Sequence, residues 1–122
     1  MIDFKNGDFI KLKKTKEIPK LVLDFLIEEE KPISAYKTIR DIVVFTTKRI
    51  IAINVQGVTG RKKDFTSLPY SKIQAYSVET AGTLDLDAEL ELYFSGLGKV
   101  RFEFSGACDI VAIGRVISRY VL

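Results

Sequence analysis

Apolar and polar positions alternate most regularly between residues 89 and 105. Leu90, Leu92 and Phe94 alternate with Glu89, Glu91 and Tyr93, and Val100, Phe102 and Phe104 alternate with Arg101, Glu103 and Ser105. A period of two marks strands with one buried face. The two runs are therefore expected to pair as an antiparallel hairpin. Requiring their apolar side chains to share a face sets Leu92 opposite Phe102 and Phe94 opposite Val100, with Gly96-Leu97-Gly98 as the loop. Tyr93 then faces Arg101, and Glu91 faces Glu103.

Upstream, "ISAYKTIR", "IVVFTT" and "RIIAINV" are rich in β-branched and aromatic residues and read as strands. Arg40-Asp41 and Thr47-Lys48 leave room only for tight hairpin turns, and Gly57 and Gly60 mark another turn. "FTSLPY" and "IQAYSVETAG" complete a series of about seven short strands. The flanks have helical spacing instead. Ile18, Leu21, Val22, Phe25 and Leu26 recur at threes and fours, so residues 1–30 are read as a basic arm and helix, N-capped by Thr15 and ending near Glu28. Ile110, Ile113, Gly114, Ile117 and Val121 form a stripe on a C-terminal helix. Gly114 there costs helix stability, which points to a close approach to the sheet. An amphipathic helix in this place can cap one open end of a bent sheet.

Length and composition narrow the class. The 122 residues suit a single domain, with 1–30 as arm and helix and 31–122 as the main body, and 47% hydrophobic residues can fill a core. The net charge of +3 is far from the basic stripe of a nucleic-acid binder. Histidine is absent and cysteine occurs once, at Cys108. That removes the usual general base and commonest metal ligand, and with them a zinc site of N and S ligands. Cys108 reads as a small core residue rather than a reactive thiol. "MIDFKNGDF" lacks the apolar run of a secretory signal, and no run nears the roughly 18 residues of a membrane span. A cytoplasmic protein is expected.

The segments "YKTIRDIVVFTTKRIIAI", "QGVTGRKKDF", "LPYSKI" and "YSVETAGTLDLDAELELYFSG" resemble the bacterial pleckstrin-homology (PH) family over roughly residues 15–122. The resemblance implies a mainly β (α+β) fold, a seven-stranded, two-sheet PH barrel with a C-terminal capping helix. It also implies a tendency to form ring-like homo-oligomers. In lipid-binding PH domains a long basic first hairpin loop surrounds the phosphates. The corresponding Arg40-Asp41 turn is short here, so Lys37, Arg40, Lys48 and Arg49 are weak anion-binding candidates.

Asp85, Asp87, Glu89 and Glu91 stand two apart, which places four carboxylates on one face of an extended chain. As an EF-hand loop the stretch fails, since Leu90 and Gly96 occupy the sixth and twelfth positions, which need Gly and Glu. A glycosidase pair finds no sugar platform around it. No catalytic, cofactor or metal residue is assigned. Like charges directly opposite destabilise a sheet, and a ring requires two complementary patches on each subunit. The expected subunit interface therefore sets Asp85, Asp87, Glu89, Glu91 and Glu103 against Arg61, Lys62 and Lys63 of a neighbour. The function expected is a non-enzymatic binding or scaffold module. Its partner is itself, with a protein or peptide ligand also compatible, and nucleic acid is not expected. The alternative is a peripheral sensor of anionic lipid or membrane stress, which is not favoured.

Overall fold

The strand-rich middle of the chain resolves into two antiparallel sheets. The computed structural model describes residues 1–5, 9–57, 59–84 and 86–122. One sheet contains β1 (Lys13–Thr15), β2 (Pro32–Lys37), β3 (Asp41–Thr46), β4 (Arg49–Gln56) and β5 (Lys62–Pro69), side by side in chain order. A 3₁₀ turn, Tyr70–Lys72, leads into the second sheet of β6 (Ile73–Glu79), β7 (Ala88–Phe94) and β8 (Gly98–Phe104). The helices are α1 (Lys20–Phe25) and α2 (Ile110–Val121). Seven strands, β2–β8, match the expected series.

The β7–β8 register differs from the expected one by two residues. Leu90 lies opposite Phe102, Leu92 opposite Val100 and Phe94 opposite Gly98. A slip of two keeps every apolar side chain on the same face, so patterning cannot distinguish the two registers. The loop decides. Ser95-Gly96-Leu97 forms the turn, with Gly96 at φ 83° and Gly98, already in β8, at φ 91°, both in the left-handed region that favours glycine.

The β2–β3 turn is also displaced from Arg40-Asp41. Thr38–Arg40 make the turn, closed by the Thr38 N–H donating to the Asp41 carbonyl at 2.8 Å. Asp41 opens β3 and is buried, its carboxylate accepting from the Phe9 N–H at 3.0 Å and from Asn54 Nδ2 at 2.6 Å. These two donors draw the residue inward.

The largest correction concerns the N-terminus. Among the described residues of 1–30 there is one helix, of six residues, preceded by Pro19 and ending at Phe25 rather than near Glu28. Val22 is buried beneath it, against Ala35, Val44, Ile51 and Ile53 on the outer face of the five-stranded sheet, while Leu21 and Phe25 stay half exposed. Before the helix, the chain is not an arm. Phe9 and Leu12 are fully buried between the sheets. The Leu12 N–H donates to the Glu103 carbonyl, the Glu103 N–H to the Phe9 carbonyl and the Ser105 N–H to the Leu12 carbonyl, each at 2.9 Å. Residues 13–15 then pair with β2. This segment staples β8 of one sheet to β2 of the other. On the far flank no ladder joins β5 to β6 among the described residues, so the expected barrel is a two-sheet sandwich closed along one side.

The interior is aromatic. Phe9 meets Phe102 edge to face at 5.5 Å, and Phe104 meets Tyr36 at 5.0 Å. Helix α2 covers the remaining opening, as its stripe predicted. Asp109 caps it by accepting from the Ala112 N–H at 3.0 Å, which satisfies one of the free N–H groups of the first turn. Ile113 and Ile117 are buried, and Tyr120 stacks on Tyr70 at 5.2 Å. A Cβ at Gly114 would lie 3.1 Å from Val78 Cγ2, which accounts for the glycine. Ile117→Ala is expected to destabilise the fold by roughly 2–5 kcal/mol, the range for truncating a buried isoleucine. Urea denaturation would measure it, and a shift below a tenth of that would show that α2 is no cap.

Candidate functional site

The outward side chains of β7 and β8, with Glu79 at the end of β6, form a charged face. The alternation that buries Leu90 and Leu92 turns Glu89 and Glu91 outward, and Glu103 and Arg101 do the same on β8. Glu79 on β6 lies directly opposite Glu89. Asp87 precedes β7, and Asp85 lies outside the described residues.

The observed register corrects the electrostatics. Arg101, not Glu103, lies opposite Glu91. Its guanidinium pairs with Glu89 and sits 3.6 Å from Glu103. Lys99 pairs with Glu91 at 3.2 Å, and Lys11 with Asp87 at 3.7 Å. The hairpin thus supplies cations of its own. Glu79, Asp87, Glu89, Glu91 and Glu103 still outnumber Lys5, Lys11, Lys99 and Arg101 on this face. Partial burial, reinforced by a hydrogen bond and repulsion from Asp87, pushes the Glu103 carboxyl above its ordinary value despite Arg101. Carboxylate oxygens of Glu79, Glu89 and Glu91 lie within 4.8 Å of one another. Glu89 and Glu91 each have a cation, and Glu79 forms no ion pair among the described residues.

The basic run Arg61, Lys62 and Lys63 is exposed at the β4–β5 turn and the start of β5. Ion pairs do not link it to the acidic face within one chain, among the described residues. The four weaker anion-binding candidates do not converge. Lys37 and Arg40 flank the β2–β3 turn, whereas Lys48 and Arg49 lie at the opposite end of β3, about 17–20 Å away for six extended residues. Lys37 also pairs with Glu17 at 3.5 Å.

Arg49 is committed elsewhere. Its Nε and Nη2 donate to the two oxygens of Glu30 at 2.9 Å each, Nη1 donates to Ser67 Oγ at 3.0 Å and Nη2 also to the Phe25 carbonyl at 3.0 Å. The Glu30 side chain is 1% exposed. Burial acts to raise its carboxyl, but hydrogen bonds from Arg49, Thr46 and the Ile27 N–H, with the Arg49 charge, outweigh it and hold the group below its ordinary 4.5. This buried pair fastens the segment after α1 onto the β3–β4 turn. Nothing in "EEEKP" singles out Glu30 as the acid that turns inward, so sequence reasoning missed it. Cys108 is half-buried, its Sγ 3.4 Å from the Leu12 carbonyl. Every buried side-chain N or O among the described residues has a partner, which leaves the surface as the place for recognition.

The sequence pattern described as "Bacterial PH domain" matches residues 3–121. The chain belongs to this bacterial PH domain family. It is 46% identical over 106 residues to "Uncharacterized protein YjqA" of Bacillus subtilis (strain 168), covering 85% of each chain. Among solved structures, a DUF1696 family protein with a pleckstrin-homology domain from Shewanella loihica PV-4 superposes with a TM-score of 0.80 at 38% identity, over 93% of this chain and 99% of that one. A pleckstrin homology domain from Shewanella amazonensis SB2B gives 0.66 at 44% identity over 84% of each. The expected PH-like fold and family are thereby established. No described helix of this PH domain is long and apolar enough to cross a membrane.

Removing one partner of a buried ion pair strands the other charge, so Arg49→Ala is expected to destabilise the domain by about 3–5 kcal/mol in chemical denaturation. The Glu30 pKa is lower folded than unfolded. Its contribution is therefore complete above about pH 4.5 and lost as pH falls through the folded value. Thermal melts across this acid range should fall less steeply in Glu30→Gln than in the wild type.

Proposed function

We propose that this PH domain is a non-enzymatic binding module that self-associates into a homo-oligomer in the cytoplasm. In this reading the acidic outer face of β7 and β8 meets Arg61, Lys62 and Lys63 of the next copy. The observation that carries it is the charge distribution. Five carboxylates stand beside four cations on the second sheet's outer face, while an exposed basic run with no ion pair among the described residues stands on the first. Two unlike patches on different sheets suit head-to-tail, ring-forming contacts. A single exposed ion pair contributes little, so the contact depends on several acting together and on ionic strength. Regular strand carboxylates and a chain without histidine favour binding over catalysis. The modest net charge of +3 argues against nucleic acid as partner.

A second reading draws on the β2–β3 turn. Ile39 is fully exposed at its tip between Lys37 and Arg40. The Val55 N–H donates to the Arg40 carbonyl at 3.0 Å, which sets this turn beside the one bearing Arg61. An apolar tip among cations suits shallow contact with an anionic membrane surface.

Light scattering at low ionic strength should give a mass several times 13.8 kDa. Glu91→Lys should lower it, and adding Lys62→Glu should restore part of it. A wild-type monomer at high concentration would sink the self-association reading. Vesicle pelleting tests the second. At 0.15 M salt, a Debye length of about 8 Å, binding should be feeble and equal for phosphatidylserine and phosphoinositide at matched charge. A preference for one headgroup, abolished by Arg40→Ala, would promote the membrane reading.

A further inference from the structure

The two sheets have four edges, and three of them are protected. The β1 strand has three residues. Lys62, Lys63 and Asp64 open β5, and Pro69 ends it. Residues 9–12 cover β8 with three backbone hydrogen bonds. Short strands, edge charges, proline and covering segments are the usual protections against unwanted strand addition. Beyond a register irregularity between Ile73 and Ala75, the β6 edge has none of them. It runs seven residues, Ile73-Gln74-Ala75-Tyr76-Ser77-Val78-Glu79, with its one charge at the end. Among the described residues no turn or loop backbone bond reaches it.

The side chains beside this edge specify what would fit. Ala75, Ser77 and Glu79 share the outer face with their partners Tyr93, Glu91 and Glu89. Ala75 and Ser77 are small, so a long side chain from an added strand can pass over them toward Glu91. Glu79 stands at the margin and forms no ion pair among the described residues. On the other face, Val78 is 37% exposed against Gly114, and Val111, exposed, lies one turn earlier on α2. We propose that the β6 edge is a docking site for an extended segment of another protein that alternates basic and apolar residues, adding as a strand with Lys or Arg toward Glu79 and Glu91 and its apolar side chains toward Val78 and Val111. Main-chain bonds give affinity in such additions, and alternate side chains give selectivity. A second copy pairing β6 to β6 fits less well. It would set two acidic outer faces side by side, and like charges on neighbouring strands repel.

The test uses the full chain and a blocked synthetic octapeptide alternating Lys and Val. Amide hydrogen exchange by NMR should show new protection on alternate residues of β6, with none on β5. Glu79→Lys, at an exposed site, should weaken binding about fivefold, as expected when one cross-strand charge pair is reversed. A Glu-Val octapeptide should recover the lost affinity on that variant. Absence of new β6 protection, or affinity indifferent to Glu79→Lys, would overturn the proposal. Dissociation of the protein's own assembly as the peptide binds would also overturn it, by showing that a second copy already holds this edge. Self-association through Arg61–Lys63 is judged separately, by mass without peptide.

Discussion

Phe104 marks the constraint on which the rest depends, a single apolar interior that two sheets must seal without a continuous ladder around them. Its ring packs on Tyr36 and Phe45 of the first sheet, while its backbone pairs with Ala88 and bridges to Leu12. Exposing such aromatic surface is costly at about 25 cal/mol per Å². Each opening is therefore covered by a different piece of chain. Residues 9–15 staple one flank, and α2 lies over the remaining opening. Phe9 at φ 61° and Lys11 at φ 55° adopt the left-handed region, uncommon outside glycine. Burial of Phe9 and the three bonds to β8 offset that strain.

A second, smaller cluster lies outside the sandwich. Six residues of α1 make a helix too short to be stable alone. Val22 gives it one buried contact, and the Glu30–Arg49 fork fastens the chain that follows it. A buried pair of this kind weakly favours folding overall, but it punishes arrangements that leave either charge alone. Its effect is to choose where the segment lies on the sheet rather than to supply bulk stability.

The recognition surfaces follow from this closure. With the interior filled and the buried polar atoms of the described residues satisfied, the outer sheet face, the exposed turns and the β6 edge stay available. The acidic face is a by-product of alternation, because burying Leu90, Leu92, Phe102 and Phe104 obliges Glu89, Glu91, Arg101 and Glu103 to point outward. Its charge balance depends on which residues stand across the strand. That in turn depends on a three-residue loop.

Much of this could be read from the residues. Strict alternation gave β7 and β8, their buried faces and the presence of a hairpin, because a two-residue period has one solution when one side must be apolar. The stripe through Ile113 and Ile117 gave α2 and its capping role, and Gly114 gave the close approach to Val78. Other features belong to tertiary structure. The hairpin register depended on loop geometry, since a two-residue slip leaves the pattern unchanged while replacing Glu103 by Arg101 opposite Glu91. The helical spacing near residue 22 survived only as the six residues of α1, and the expected basic arm before it was overridden, because Phe9 and Leu12 gain more by closing the sandwich flank than by staying in solvent. Arg49, one of several basic residues in the sequence, was taken out of the anion-binding set by Glu30, an acid nineteen positions away. Local periodicity determines which face of an element is buried. Which elements meet, and which charges they bring together, is decided only when distant parts of the chain compete for the same interior.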